Sequence, residues 1–150
     1  MSETTVPVTT VASASASTTP AVRRRRGRIA LRTLQVVLGL FYVVASALPK
    51  LIANQYAVDS FHRIGWGSAG MYTIGALELA GGLALLVPLL QSVAATALSA
   101  LMLGAFFVQM IVFHGENAAT PLILIVPLVL IAWARRGSNQ DLLRLVRRRP

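Results

Sequence analysis

From Ala69 to Phe113 the chain runs for forty-five residues with Glu78 as its one charged side chain. A hydrocarbon core about 30 Å thick is crossed by roughly 20 helical residues rising about 1.5 Å each, so this stretch is too long for one span and suits two. The break belongs at Pro88 to Ser92, where proline stops a helix and Gln91 with Ser92 supplies adjacent polar groups. Helices are therefore expected over Gly70 to Leu90 and over Val93 to Phe113.

Two further apolar runs flank this pair. Ile29 to Leu48 has the length of a span and follows a block of five arginines, Arg23 to Arg26 and Arg28, with Arg32 in its first turn. The other opens near Pro121, a residue suited to the first turn of a helix, and runs to Trp133; Pro127 inside it removes a backbone hydrogen bond and predicts a bend. Between the first two spans, Asn54 to Ser68 mixes Gln55, Asp59, His62 and Arg63 with Tyr56, Phe61 and Trp66. That is too polar to cross and suits a short helix held among the outer headgroups by its aromatics. His114 to Asn117 make a short outer turn. The expected fold class is all-α, an integral membrane four-helix bundle. Residues 29–134 form its one domain, 1–28 a disordered Ser/Thr/Ala tail ending in the arginine block, and 135–150 a basic amphipathic tail on the inner leaflet.

The formal charge of +9 would point to nucleic acid in a soluble protein. Here 55% of the residues are hydrophobic, and basic blocks pressed against apolar spans are topology signals and contacts for anionic lipids; nucleic acid is not an expected partner. Four spans put both termini on one side. Both termini carry arginines, whereas the outer loops hold only Lys50 and Arg63, so both ends are expected in the cytoplasm. A competing reading takes the arginine block, the first apolar run and Ala45-Ser46-Ala47 as a secretory signal with its cleavage site. It leaves three spans and an arginine-rich C-terminus outside, against the charge bias.

Chemistry-bearing residues are few. The absence of cysteine excludes disulfides, thiolate metal sites and thiol redox chemistry from this chain. Two histidines and five acids, spread along the sequence, make no metal-ligand spacing, hydrolase triad or phosphate loop. No metal or cofactor is expected, and catalysis by this chain alone lacks most parts of an active site.

Glu78 stands about 12 Å inside the outer end of its expected helix. An ionised group at such depth is expensive, so it must be protonated or matched by a partner. Gly75, Gly81 and Gly82, at i−3, i+3 and i+4, share its stripe and admit a neighbouring helix, which turns Glu78 toward protein. Tyr42, Ser46 and Lys50 recur every four residues along one face of helix one, and Lys50 lies one to two turns above Glu78. With Gln109, about 8 Å below His114, a polar layer of Tyr42, Ser46, Lys50, Glu78, Gln109 and His114 can be built, opening outward. Each member also has a plainer use. Glu78 and Gln109 serve as interhelical hydrogen-bond glue, worth about 0.6 and at most about 2 kcal/mol; Lys50 snorkels; His114 is a solvated turn residue; Tyr42 and Ser46 pack. Thr96, Ala100 and Gly104, like Ala76, Ala80 and Ala84, read as small-residue packing seams that leave room for a homo-oligomer.

Lys50-Leu51 past helix one, then Gly75-Ala76-Leu77-Glu78-Leu79-Ala80-Gly81-Gly82 leading into Leu85-Leu86-Val87-Pro88, resembles the DoxX-like family over roughly Phe41 to Ala134. His114 after helix three is similar to that family as well. Where the family commonly has glycine three before the lysine, this chain has Ala47. The resemblance implies a small multi-pass protein of the bacterial inner membrane, in a family named for subunits associated with thiosulfate-quinone oxidoreduction, and hence a redox protein or a quinone as partner. Three readings stay open: a non-enzymatic subunit that docks a redox partner or handles quinone around Glu78; a proton-coupled transporter or exporter subunit in which Glu78 takes and releases a proton; and a structural module whose polar layer only fixes packing.

Overall fold

The structure, a computed structural model, describes residues 20–137. The expectations for residues 1–19 and for the tail beyond Gly137 lie outside the described residues. Among the described residues there are helices and no strands. Helix α1 (Pro20–Leu40) passes without a break into a π-helical segment (Phe41–Ala47) and a short α2 (Leu48–Leu51). The helix thus starts nine residues ahead of the expected Ile29. Pro20 suits a first helical position, and the arginines after it favour helix once formed.

Pro49, which directly follows the expected span Ile29 to Leu48, does not end this helix. It falls in the first turn of α2, and the turn ahead of it is widened: the Leu48 N–H donates to the Val43 carbonyl, five residues back. A wider turn draws the preceding carbonyl away from the proline ring, which an α-helical turn would force into collision.

Helix α3 (Gln55–Ile64) opens on Asn54, whose side-chain oxygen accepts the Tyr56 N–H at 3.1 Å, and closes on Gly65 at φ +82°. There the Gly65 and Trp66 N–H groups reach back to His62 and Phe61, a closure that needs a left-handed residue. Ala57 and Phe61 form its inward stripe and pack on Met71. Of the three aromatics expected at the headgroups, Tyr56 and Trp66 are exposed while Phe61 is buried, because Phe61 lies four residues from Ala57 on that stripe.

Helices α4 (Gly67–Leu86), α5 (Gln91–Ile111) and α6 (Ala119–Ala134) complete the fold. α4 ends before Pro88 because the residue preceding a proline is pushed to extended backbone, and Val87 sits at φ −88°, ψ 117°. α6 is unbroken across Pro127. One core joins α1 and its π segment to α4, α5 and α6, with Leu38, Tyr42, Leu85, Leu98, Met102, Leu128 and Ile131 at its centre.

The seams of small residues lie mostly on the outside of this chain. Gly104 is exposed, and a Cβ there would meet nothing within 4 Å. Met102 is the inward residue of that turn, and two residues on is about 200° around the helix. Thr96, Ala100, Ala76 and Ala80 are exposed too, and Ala80 and Ala84 line an apolar groove of about 300 Å³ between α4 and α5.

Candidate functional site

The contact between α1–α2 and α4 is made backbone to backbone. A Cβ on Gly82 would lie 2.9 Å from the Gly39 carbonyl oxygen and 3.0 Å from the Tyr42 Cβ; one on Gly39 would lie 2.9 Å from the Gly82 oxygen. Glycine at both positions is what permits this approach, the close crossing that small residues give helices in lipid. Further out, a Cβ on Gly75 would lie 3.0 Å from the Lys50 Cβ, so the lysine stem lies flat on α4 one turn from Glu78. Gly81 turns instead to α5, where its missing Cβ leaves room for the Leu98 side chain.

This crossing brings together residues far apart in sequence. The Lys50 ammonium donates to Glu78 Oε2 at 2.7 Å, to the Ser46 carbonyl at 2.9 Å and to Ser46 Oγ at 3.4 Å. Its three protons therefore have three acceptors. The Glu78 side chain is 4% exposed and that of Lys50 19%, so the carboxylate is sealed while the lysine edges toward the surface. Tyr42, two turns below Lys50 and against Gly82, is fully buried, and its hydroxyl has no partner among the described residues.

The rest of the expected layer does not join this group by any hydrogen bond. The Gln109 side-chain oxygen is buried without a partner among the described residues. His114 is exposed, at φ +52° in the turn after α5. That turn is held instead by the Gly115 N–H on the Gln109 carbonyl at 2.9 Å and by the Arg63 guanidinium over the Phe113 ring at 4.6 Å. Among the described residues no three His, Asp or Glu side chains gather as a metal set would require.

Sequence reasoning missed a second polar group at the arginine-bearing end. Gln35 is 1% exposed, and its Oε1 accepts from Arg135 Nη2 at 3.3 Å. Gln91 and Ser92, expected as a polar break, are buried, and Ser92 Oγ donates to the Ala132 carbonyl at 3.2 Å. The signal for Gln35 was its spacing, since Leu31, Leu38 and Tyr42 at i−4, i+3 and i+7 put it on the inward stripe.

Apolar side chains face outward along α1, α4, α5 and α6, among them Val37, Val44, Leu77, Leu103, Phe107, Ile123 and Val126, while Gln35, Glu78, Gln91 and Ser92 are buried. In water such faces would drive aggregation; lipid is the solvent that suits them. Arg25–Leu51, Gly67–Leu86 and Gln91–Ile111 are each long and apolar enough to cross a bilayer, and α6 is a shorter apolar helix. The molecule is a multi-pass helical membrane protein with a charged pair clamped between two of its helices. The DoxX-like family matches residues 33–132, two thirds of the chain, and the protein belongs to that family. No curated protein and no solved structure matches it.

Proposed function

We propose that the protein is a four-span subunit of the bacterial inner membrane, both ends in the cytoplasm, that does no chemistry alone and serves a membrane-associated redox or quinone-linked complex. Supporting the topology, Arg25, Arg26, Arg28, Arg32, Arg135 and Arg136 stand at one end of the apolar helices, while Lys50 and Arg63 stand toward the other. α6, at about 1.5 Å per residue, is about 24 Å long and forms the fourth span by sinking its flanking residues toward the core.

The observation that carries the reading is the Lys50–Glu78 pair in a glycine-lined crossing, with the Tyr42 hydroxyl buried and unpartnered beside it. An ion pair is a poor way to hold two helices together, since desolvation offsets much of the attraction; its use is to fix the crossing beside the Tyr42 hydroxyl, whose proton is unclaimed among the described residues. A quinone carbonyl, an acceptor without charge, fits such a donor. Native co-purification in mild detergent, wild type against Glu78→Gln, tests this: the wild type should retain an oxidoreductase or quinone that the variant loses. Equal recovery from both, or none from wild type in native membranes, refutes it.

The same pair supports a second reading, a proton-coupled exporter subunit, because a proton on Glu78 would release Lys50 toward an anionic solute. Flux in proteoliposomes that persists in Glu78→Gln removes it.

A further inference from the structure

At the end opposite Lys50, α1 and α6 close on a corner with too many donors. Gln35, 1% exposed, gives its Oε1 to Arg135 Nη2 at 3.3 Å, while Gln35 Nε2 and Arg135 Nε are buried and have no partner among the described residues. Turning the Gln35 amide over would set its NH2 against the guanidinium, donor to donor, so the amide is fixed with Nε2 as the orphan. Both orphans are donors, and one belongs to a cation. Burying donors unpaired is destabilising, so a corner built this way calls for an acceptor.

The surroundings give the acceptor its charge. Arg32 and Arg28, exposed, lie three and seven residues before Gln35 on its own stripe of α1. The acids among the described residues are elsewhere: Glu78 on Lys50, Asp59 in α3 and Glu116 after α5. Trp133, exposed, with Arg136 stacked at 5.3 Å from its ring, marks the headgroup level beside the corner. We infer that the Gln35–Arg135 corner is an oxyanion site that takes a phosphate oxygen, with Arg135 Nε and Gln35 Nε2 as its donors and Arg28 and Arg32 as a basic rim. A bilayer offers that group as the phosphodiester of an anionic phospholipid; free phosphate carries the same chemistry. The site is independent of the Lys50–Glu78 pair.

The test is binding to the full-length protein in detergent, read by native mass spectrometry, with dioctanoyl phosphatidylglycerol against dioctanoylglycerol, which has the same tails and no phosphate. Phosphatidylglycerol should be retained and dioctanoylglycerol not. Arg135→Gln and Gln35→Leu should each weaken retention by about 10-fold or more, as loss of a charge-assisted hydrogen bond implies. Arg136→Gln, which removes the same charge one residue away, should weaken it by less than about 3-fold. Gln35→Glu guards against misfolding: its carboxylate pairs with Arg135 in place of the ligand, so that variant should unfold no earlier than wild type and still lose the lipid. Inorganic phosphate that displaces the lipid assigns the site to the free anion, and failure to displace assigns it to the headgroup; both keep the phosphate chemistry. Equal retention of the two lipids, or equal losses in Arg135→Gln and Arg136→Gln, overturns the site.

Discussion

Lys50→Met removes the ammonium and keeps the stem, and it should destabilise the protein far more at neutral pH than in mild acid. The Glu78 side chain, 4% exposed, has no water to replace the lost partner, and stranding a buried charge typically costs about 3 to 5 kcal/mol. The carboxylate has one escape, which is to bind a proton. For an ordinary glutamate that costs about 3.7 kcal/mol at pH 7 and about 1.4 kcal/mol less for each unit the pH falls, so the loss is capped near 3.7 at pH 7 and near 1 at pH 5. Glu78→Gln should be milder, about 1 to 2 kcal/mol, because Lys50 keeps both Ser46 contacts and is 19% exposed. In the double variant Lys50→Met/Glu78→Gln no charge is stranded, and more than half of the Lys50→Met loss at pH 7 should return. The assay is thermal unfolding in one detergent at pH 7 and pH 5. At about 2 to 4 °C per kcal/mol for a chain of this size, Lys50→Met should lower the midpoint by roughly 7 to 15 °C at pH 7 and by roughly 2 to 4 °C at pH 5. A loss independent of pH, or a double variant no better than Lys50→Met, would show that Glu78 does not carry its charge through this lysine.

Gly82→Ala should destabilise by about 1 to 3 kcal/mol in the same unfolding assay, since its Cβ meets the Gly39 carbonyl at 2.9 Å and backbone yields little; Gly104→Ala, with open space around it, should be neutral or gain up to about 1 kcal/mol from helix propensity. Asn54→Ala removes the cap of α3 and should lower stability by about 1 kcal/mol, with faster amide exchange confined to Gln55–Ile64. Tyr42→Phe deletes an unpartnered buried hydroxyl and should leave the unfolding midpoint unchanged or raised, yet it should reduce retention of a quinone or redox partner if the hydroxyl serves one. A fall in the midpoint would mean the hydroxyl is bonded within the protein.

Solvent and segmentation are written along the chain. Apolar runs long enough for lipid, interrupted at Pro88 and at His114, dictate helices because no other open structure pairs every backbone group inside a bilayer. The sequence also singled out Glu78, since one acid in forty-five residues has to be answered by something, and the glycines on its stripe gave the direction. Helix ends were less legible. Pro49, which directly follows the expected span, lies within a helical segment, because a widened turn absorbs what proline removes, and that turn is not written locally.

Which polar residues meet is set by how the helices cross. Lys50 reaches Glu78 because Gly39, Gly75 and Gly82 let two backbones touch, while Gln109 and His114, at plausible depths, make no bond to that pair. Gln35 and Arg135 meet across one hundred positions of sequence, and Gly104 is left facing outward. Periodicity tells which side of a helix a residue occupies. It does not tell which neighbour stands there, because the rotation and crossing of each helix are set by the sum of its contacts with the others.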